Sequence, residues 1–122
     1  PPPHTPPAFA PLAEPGQGRL PARRPECRPN HHGCLSLVGS EPHQAALLAP
    51  LAGLGIAAVC HFTPLHVSVM GRRLGYAPGD LPVTEAVSRQ VVRLPFFYEL
   101  TADDVRRVVE GVYGYYSMTP PA

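Results

Sequence analysis

At 122 residues the chain has room for one domain around a single core, and too little for the two-lobed architecture that cofactor-dependent enzymes usually need. Its formal net charge is +1, and its ten basic side chains are spread along the chain rather than gathered in a stripe, which excludes an electrostatic footprint for nucleic acid. All ten are arginine, whose guanidinium stays protonated, so no side chain here supplies the amine of a Schiff base.

Ten of the 18 prolines lie within the first thirty residues. Residues 1–30 therefore read as an extended, disordered linker, with a short apolar stretch from Phe9 to Leu12. The core-forming part is expected over residues 31–116, and residues 117–122 read as a tail with two more prolines. Cys27, Cys34 and Cys60 are three in number and irregularly spaced, which suits a reducing compartment better than a disulfide framework. No apolar run approaches the length of a membrane span and no secretory signal is visible, so a soluble, cytoplasmic protein without membrane partners is expected. The chain opens on Pro1 rather than methionine, as a trimmed or severed piece would.

Cys34 to Val38 alternates loosely between Gly33 and Gly39 and is predicted as the first strand. Ser40 is placed to cap a helix of about three turns in which Leu47, Leu48, Leu51 and Leu54 recur at helical spacing. Pro50 falls inside it, where the missing N–H and the clash with the Ala46 carbonyl would cost roughly 3 kcal/mol, so a kink or early fraying is expected. Gly53 and Gly55 end that helix, and Ile56 to Phe62 reads as the most buried strand, closed by Pro64. A short helix is expected near Val69 to Leu74, before the Pro78-Gly79 turn.

Thr84 is then read as the cap of an amphipathic helix whose Val83, Val87, Val91 and Leu94 share a face, with Glu85, Ser88, Arg89 and Arg93 turned away and Pro95 as its stop. Leu94 to Tyr98 suits a short extended segment. Thr101 caps the last helix, with Asp103 and Asp104 in its first turn and Val105, Val108, Val109 and Val112 as its buried stripe up to Gly114. The order describes a small sheet packed against helices, an α+β or α/β fold.

The run Val59-Cys60-His61-Phe62-Thr63-Pro64-Leu65-His66, then Gly71-Arg72, Gly75-Tyr76 and Gly79-Asp80-Leu81-Pro82-Val83-Thr84-Glu85, then Arg93-Leu94-Pro95-Phe96-Phe97-Tyr98 and Leu100-Thr101, resembles the C-terminal small domain of the DegT/DnrJ/StrS-type sugar aminotransferases. The closest likeness is to members that aminate a nucleotide-linked 4-keto-6-deoxyhexose, and it covers about Leu20 to Tyr113, Cys27 to His32 matching the approach to the first strand. Three features depart from the pattern: Gly33-Cys34 replaces a bulky aromatic pair, Cys60 stands where an aromatic is common, and Pro50 interrupts a helix.

The resemblance implies the type I pyridoxal-phosphate (PLP) fold, in which a large domain holds the cofactor on a lysine and a small domain closes over the site, usually within a homodimer. It also implies transamination onto a nucleotide sugar. His66, ending the Pro-Leu-His segment, is the leading substrate-contact residue; its plainer reading is a loop histidine with a backbone partner. His61 is the second, and is read more readily as a core or interface histidine.

No residue is assigned to catalysis, to PLP or to a metal. Cys27, His31, His32 and Cys34 are zinc-type ligands, but their spacing lacks a Cys-x-x-Cys knuckle and a strand would turn the two histidines to opposite faces. Asp103 and Asp104 serve capping, and Tyr113, Tyr115 and Tyr116 serve packing or an interface. Two functional readings follow: a C-terminal aminotransferase fragment, inactive alone for want of a lysine and partnered by a large PLP-binding domain or a homodimer mate, or a stand-alone interaction module that keeps the fold.

Overall fold

The computed structural model describes Phe9 and residues 18–20, 25–28 and 33–117. His31, His32 and the tail beyond Ser117 lie outside these, as does most of the expected linker. Three strands, Gly18–Arg19 (β1), Cys34–Val38 (β2) and Val91–Leu94 (β3), form an antiparallel sheet with β2 in the middle. Helices α1 (Glu41–Gly53), α2 (Val69–Arg73), α3 (Pro82–Ser88) and α4 (Ala102–Tyr115) accompany it.

β2 arises where expected, and its register pairs Cys34 with Leu94, Leu35 with Arg93, Ser36 with Val92 and Leu37 with Val91. The strand period of β3 sends Val92 and Leu94 into a core shared with Val38, Leu47, Leu51, Ile56, Val108, Val109, Val112 and Tyr113. α1 packs against α4 and also touches β2 and β3. At the crossing Gly111 is closely packed: a Cβ there would meet Leu51 Cδ2 at 2.9 Å and Ile56 Cδ1 at 3.0 Å, and those side-chain ends would have to shift. Gln44 ties α1 to the other half of the chain, its side-chain amide donating to the carbonyls of Ser88 (3.1 Å) and Val91 (2.7 Å).

The last helix is built as its sequence dictates. Thr101 Oγ1 accepts from the Asp104 N–H at 3.1 Å and the Asp104 carboxylate accepts from the Thr101 N–H at 3.0 Å, a reciprocal capping box. Val108, Val109 and Val112 are buried and Val105 is half-buried, while the helix runs one residue past Gly114.

Four expectations are corrected. α1 does not end early at Pro50 but continues to Gly53: the ring costs one hydrogen bond near the C-terminus, and the Pro50 carbonyl still accepts from Leu54 N at 3.1 Å. Ile56 to Phe62 is not the most buried strand. It makes only a bridge between Val59 and Arg93, and after Ile56 its side chains point largely outward, Phe62 being 74% exposed. The helix expected from Thr84 to Leu94 begins instead at Pro82, capped by Leu81, and stops at Ser88. Val91–Leu94 is the sheet's second full strand, because pairing with β2 buries Val92 and Leu94 completely or nearly so, where a continued helix would leave β2 paired only with the two residues of β1. Finally, within the expected linker Gly18–Arg19 pairs with Leu37–Val38, and Phe9 is 4% exposed over a core cavity of about 20 Å³.

Candidate functional site

The two histidines singled out from the sequence sit on the excursion that leaves the core at Ile56 and returns with α3. Local chemistry shapes its middle. Leu65–Val67 forms a single 3-10 turn, and Ser68 caps α2: its hydroxyl donates to the Leu65 carbonyl (2.6 Å) and accepts from Gly71 N (3.0 Å). This folds the α2 backbone onto the preceding turn so closely that any Cβ on Gly71 would collide with the carbonyls of Leu65 and His66.

His66 is thereby turned inward and is 5% exposed. Its Nε2 lies 2.9 Å from Glu85 Oε1, and Gly79 N donates to that same oxygen at 2.6 Å. Arg89 stands 3.9 Å from the other carboxylate oxygen and reaches Glu41 on α1 at 3.6 Å. The His66 and Gly79 hydrogen bonds, in that order, hold the Glu85 carboxyl below the usual carboxylate range. An ionised carboxylate only accepts, so the proton between the two side chains belongs to His66 Nε2.

His61 belongs to a different constellation. Its Nδ1 accepts from the Arg93 guanidinium at 3.1 Å, and its ring stacks on Phe62 with centroids 4.2 Å apart. Arg93 is fixed from both sides, paired with Leu35 in the sheet and exchanging backbone hydrogen bonds of 2.8 and 3.0 Å with Val59. The structure thus gives each histidine a charged side-chain partner: Glu85 for His66, Arg93 for His61. Sequence reasoning missed both partners because it turned Glu85 and Arg93 to the outer face of one long helix. A signal existed: between His66 and Tyr98 the only acids are Asp80 and Glu85, and Asp80 is taken up by the turn, where it accepts from Ala77 N at 2.8 Å.

The other flagged residues resolve structurally. Asp104 caps α4, and Asp103 meets Arg106 at 2.9 Å on the surface. Tyr113 is fully buried, and Tyr115 and Tyr116 pack edge to face. Cys34 is largely enclosed, which pushes its thiol pKa up. Among the described residues no group of three His, Cys, Asp or Glu side chains could hold a metal ion. An open groove of about 520 Å³ lies where α1 ends beside α4, lined by Leu54, Ile56, Arg107, Glu110 and Tyr115 among others, and neither histidine lines it.

Residues 12–113 match the DegT/DnrJ/EryC1/StrS aminotransferase family. The chain belongs to that family. The match begins upstream of Leu20, in keeping with the pairing of Gly18–Arg19 in the sheet. A pleiotropic regulatory protein of Geobacillus stearothermophilus is 34% identical over 76 residues, which are 62% of this chain and 20% of that protein. An uncharacterized protein of Methanocaldococcus jannaschii is 42% identical over 53 residues, 43% of this chain and 14% of its own length. The fold is that of a Streptococcus pneumoniae protein provisionally assigned as a sugar aminotransferase and solved in its PMP form, with a TM-score of 0.77 at 19% identity over 90% of this chain. A Brucella abortus family aminotransferase superposes with a TM-score of 0.67 at 24% identity over 80%. The chain spans about a quarter of each solved relative, 28% and 26%, and a fifth or less of each curated one.

Aminotransferases of the family depend on PLP. The residues of this chain do not fit that group as their own resident cofactor, because its covalent attachment needs a lysine amine and the chain has ten arginines and no lysine. What the chain contributes is an α/β piece of the family fold with two histidines fixed by charged partners. No helix among the described residues is long and apolar enough to cross a membrane.

Proposed function

We propose that the chain is the C-terminal small domain of a PLP-dependent enzyme that transfers an amino group to a nucleotide-linked keto-deoxysugar, and that it is inactive alone. Residues 31–116 form the body of that domain in this reading, with Phe9 and Gly18–Arg19 of the preceding thirty residues packed onto it and 117–122 as a tail. The lysine and PLP belong to a large domain, in the same or a partnering chain, within a cytoplasmic homodimer. His61 and His66 are assigned to the substrate side of the assembled site, His61 with its Nδ1 held by Arg93 and His66 as the buried middle residue of the Leu65–Val67 turn.

The observation that carries this reading is the family match from residue 12 to 113 in a chain without a lysine. The test is to join the chain to a lysine-bearing large domain of the family in place of that domain's own small one, then follow amino-sugar formation from a nucleotide-linked keto-deoxysugar with glutamate and PLP. The chain alone should give no product and the fusion should turn over. Product from the chain alone, or a folded, PLP-loaded fusion that never aminates the sugar, overturns the proposal.

A further inference from the structure

Glu85 stands out once the function has been assigned, because no part of that assignment uses it and yet it joins three separated pieces of the chain. Its side chain is 13% exposed, and the histidine it faces is 4% exposed at the side chain. Both of the close contacts converge on one atom: Oε1 accepts from His66 Nε2 at 2.9 Å and from Gly79 N at 2.6 Å. Gly79 lies in the Ala77–Asp80 turn and adopts φ of +96°, so the N–H that reaches Glu85 is presented by a backbone shape that favours glycine. Glu85 itself stands in the first turn of α3, whose end is bound to α1 through Gln44 and the Ser88 carbonyl.

We propose that Glu85 is a positioning residue, a clip whose single oxygen Oε1 closes the excursion from His66 to Gly79 onto α3 and fixes the protonated nitrogen of His66 as Nε2. The geometry assigns the two ring nitrogens different work. Nε2 is spent on Glu85, so Nδ1 is the one nitrogen His66 retains for any other group, and in the neutral ring it is an acceptor. The same clip holds the α2 segment in place: α2 is only five residues long, too short to be stable as an isolated helix, and its order depends on the Leu65–Val67 turn and on what anchors that turn. The charged groups around the clip are Arg89 just past the end of α3, Glu41 on α1 behind it, and Asp80 in the adjoining turn. Arg89 only donates, Glu41 is 66% exposed and Asp80 is engaged with Ala77 N, so none of them replaces Oε1 as the acceptor.

The inference does not need the aminotransferase reading, and its test uses the 122-residue chain alone. Proton NMR of the wild type at neutral pH should show an exchange-protected His66 Nε2–H and a slowly exchanging Gly79 amide. Glu85→Gln keeps a carbonyl oxygen where both donors point and should retain both signals. Glu85→Ala removes the acceptor, and both should exchange at least about tenfold faster, as expected for lost hydrogen bonds to a charged group, while the amides of Val108 to Val112 in α4 keep their wild-type protection. A wild type lacking either protected proton, a Glu85→Ala chain that keeps both, or a Glu85→Gln chain that loses both as fully as Glu85→Ala overturns the proposal. Should Glu85→Ala fail to fold, the wild-type and Glu85→Gln spectra decide it.

Discussion

Among the described residues two carboxylates, Glu85 and Asp104, are held below the usual carboxylate range, and both owe it first to side-chain hydrogen bonds: Glu85 to His66, Asp104 to Thr101. The sign of their effect on folding follows from linkage. A carboxyl group whose pKa is lower in the folded chain than in the unfolded one binds fewer protons when folded, so its contribution is complete above the unfolded value and disappears as pH falls through the folded one. Stability to urea should therefore decline as pH drops below about 5, where unfolded carboxylates begin to take up protons. Glu85→Gln should remove part of that slope and leave the Asp104 part in place. Urea midpoints of the two chains between neutral and acid pH are the measurement, and parallel curves would show that Glu85 has no part in the acid sensitivity.

Elements differ in how openly their sequences declare them. α4 was legible because local and tertiary signals agree: a Thr101/Asp104 box at one end and valines at helical spacing along one face. β2 was legible for the same reason, its alternation lying between two glycines. Val91–Leu94 misled because Val83, Val87, Val91 and Leu94 fit a helical period, and only the pairing of β2's second edge reassigns the last two as strand. Ile56 to Phe62 misled in the opposite direction: an apolar run marks surface that burial favours, and of this run the chain's own core buries only Ile56. The pairing of His66 with Glu85 crosses 19 residues and depended on that same helix boundary, so placing Glu85 wrongly hid the partner. Where α1 and α4 cross, the packing is demanding enough to test. Leu51 is 0% exposed and meets Gly111, so Leu51→Ala opens a cavity that neighbouring side chains fill only in part. The expected loss is about 2–5 kcal/mol of unfolding free energy, read from urea or thermal melts, a large share of what so small a domain has. A loss below about 1 kcal/mol would mean that the crossing relaxes around the deletion.

At the scale of the molecule, the side chains that do not pack inside decide what the chain can do by itself. Phe62 is 74% exposed, Leu65 83%, Val69 67%, Met70 60%, Leu74 71% and Val83 75%, all on the excursion and the start of α3; Tyr98, after β3, is 99% exposed. Soluble monomers rarely expose large apolar patches, and here these seven large apolar side chains stand more than half exposed. In a domain that closes over a larger partner such surface is covered, whereas a module adapted to stand alone would have lost it. The chain by itself should accordingly bind a hydrophobic dye and elute from size exclusion as a broad, concentration-dependent species. Replacing Phe62, Leu65 and Leu74 together by serine should reduce both effects without lowering the melting temperature, because these side chains contribute little to the core formed by the sheet, α1 and α4. Dye binding and elution that are unchanged by the triple substitution would place the sticky surface elsewhere. A wild-type chain that is monodisperse and dye-free would instead favour the stand-alone interaction module, since its exposed apolar groups would then be tolerated without the large domain that the family fold otherwise provides.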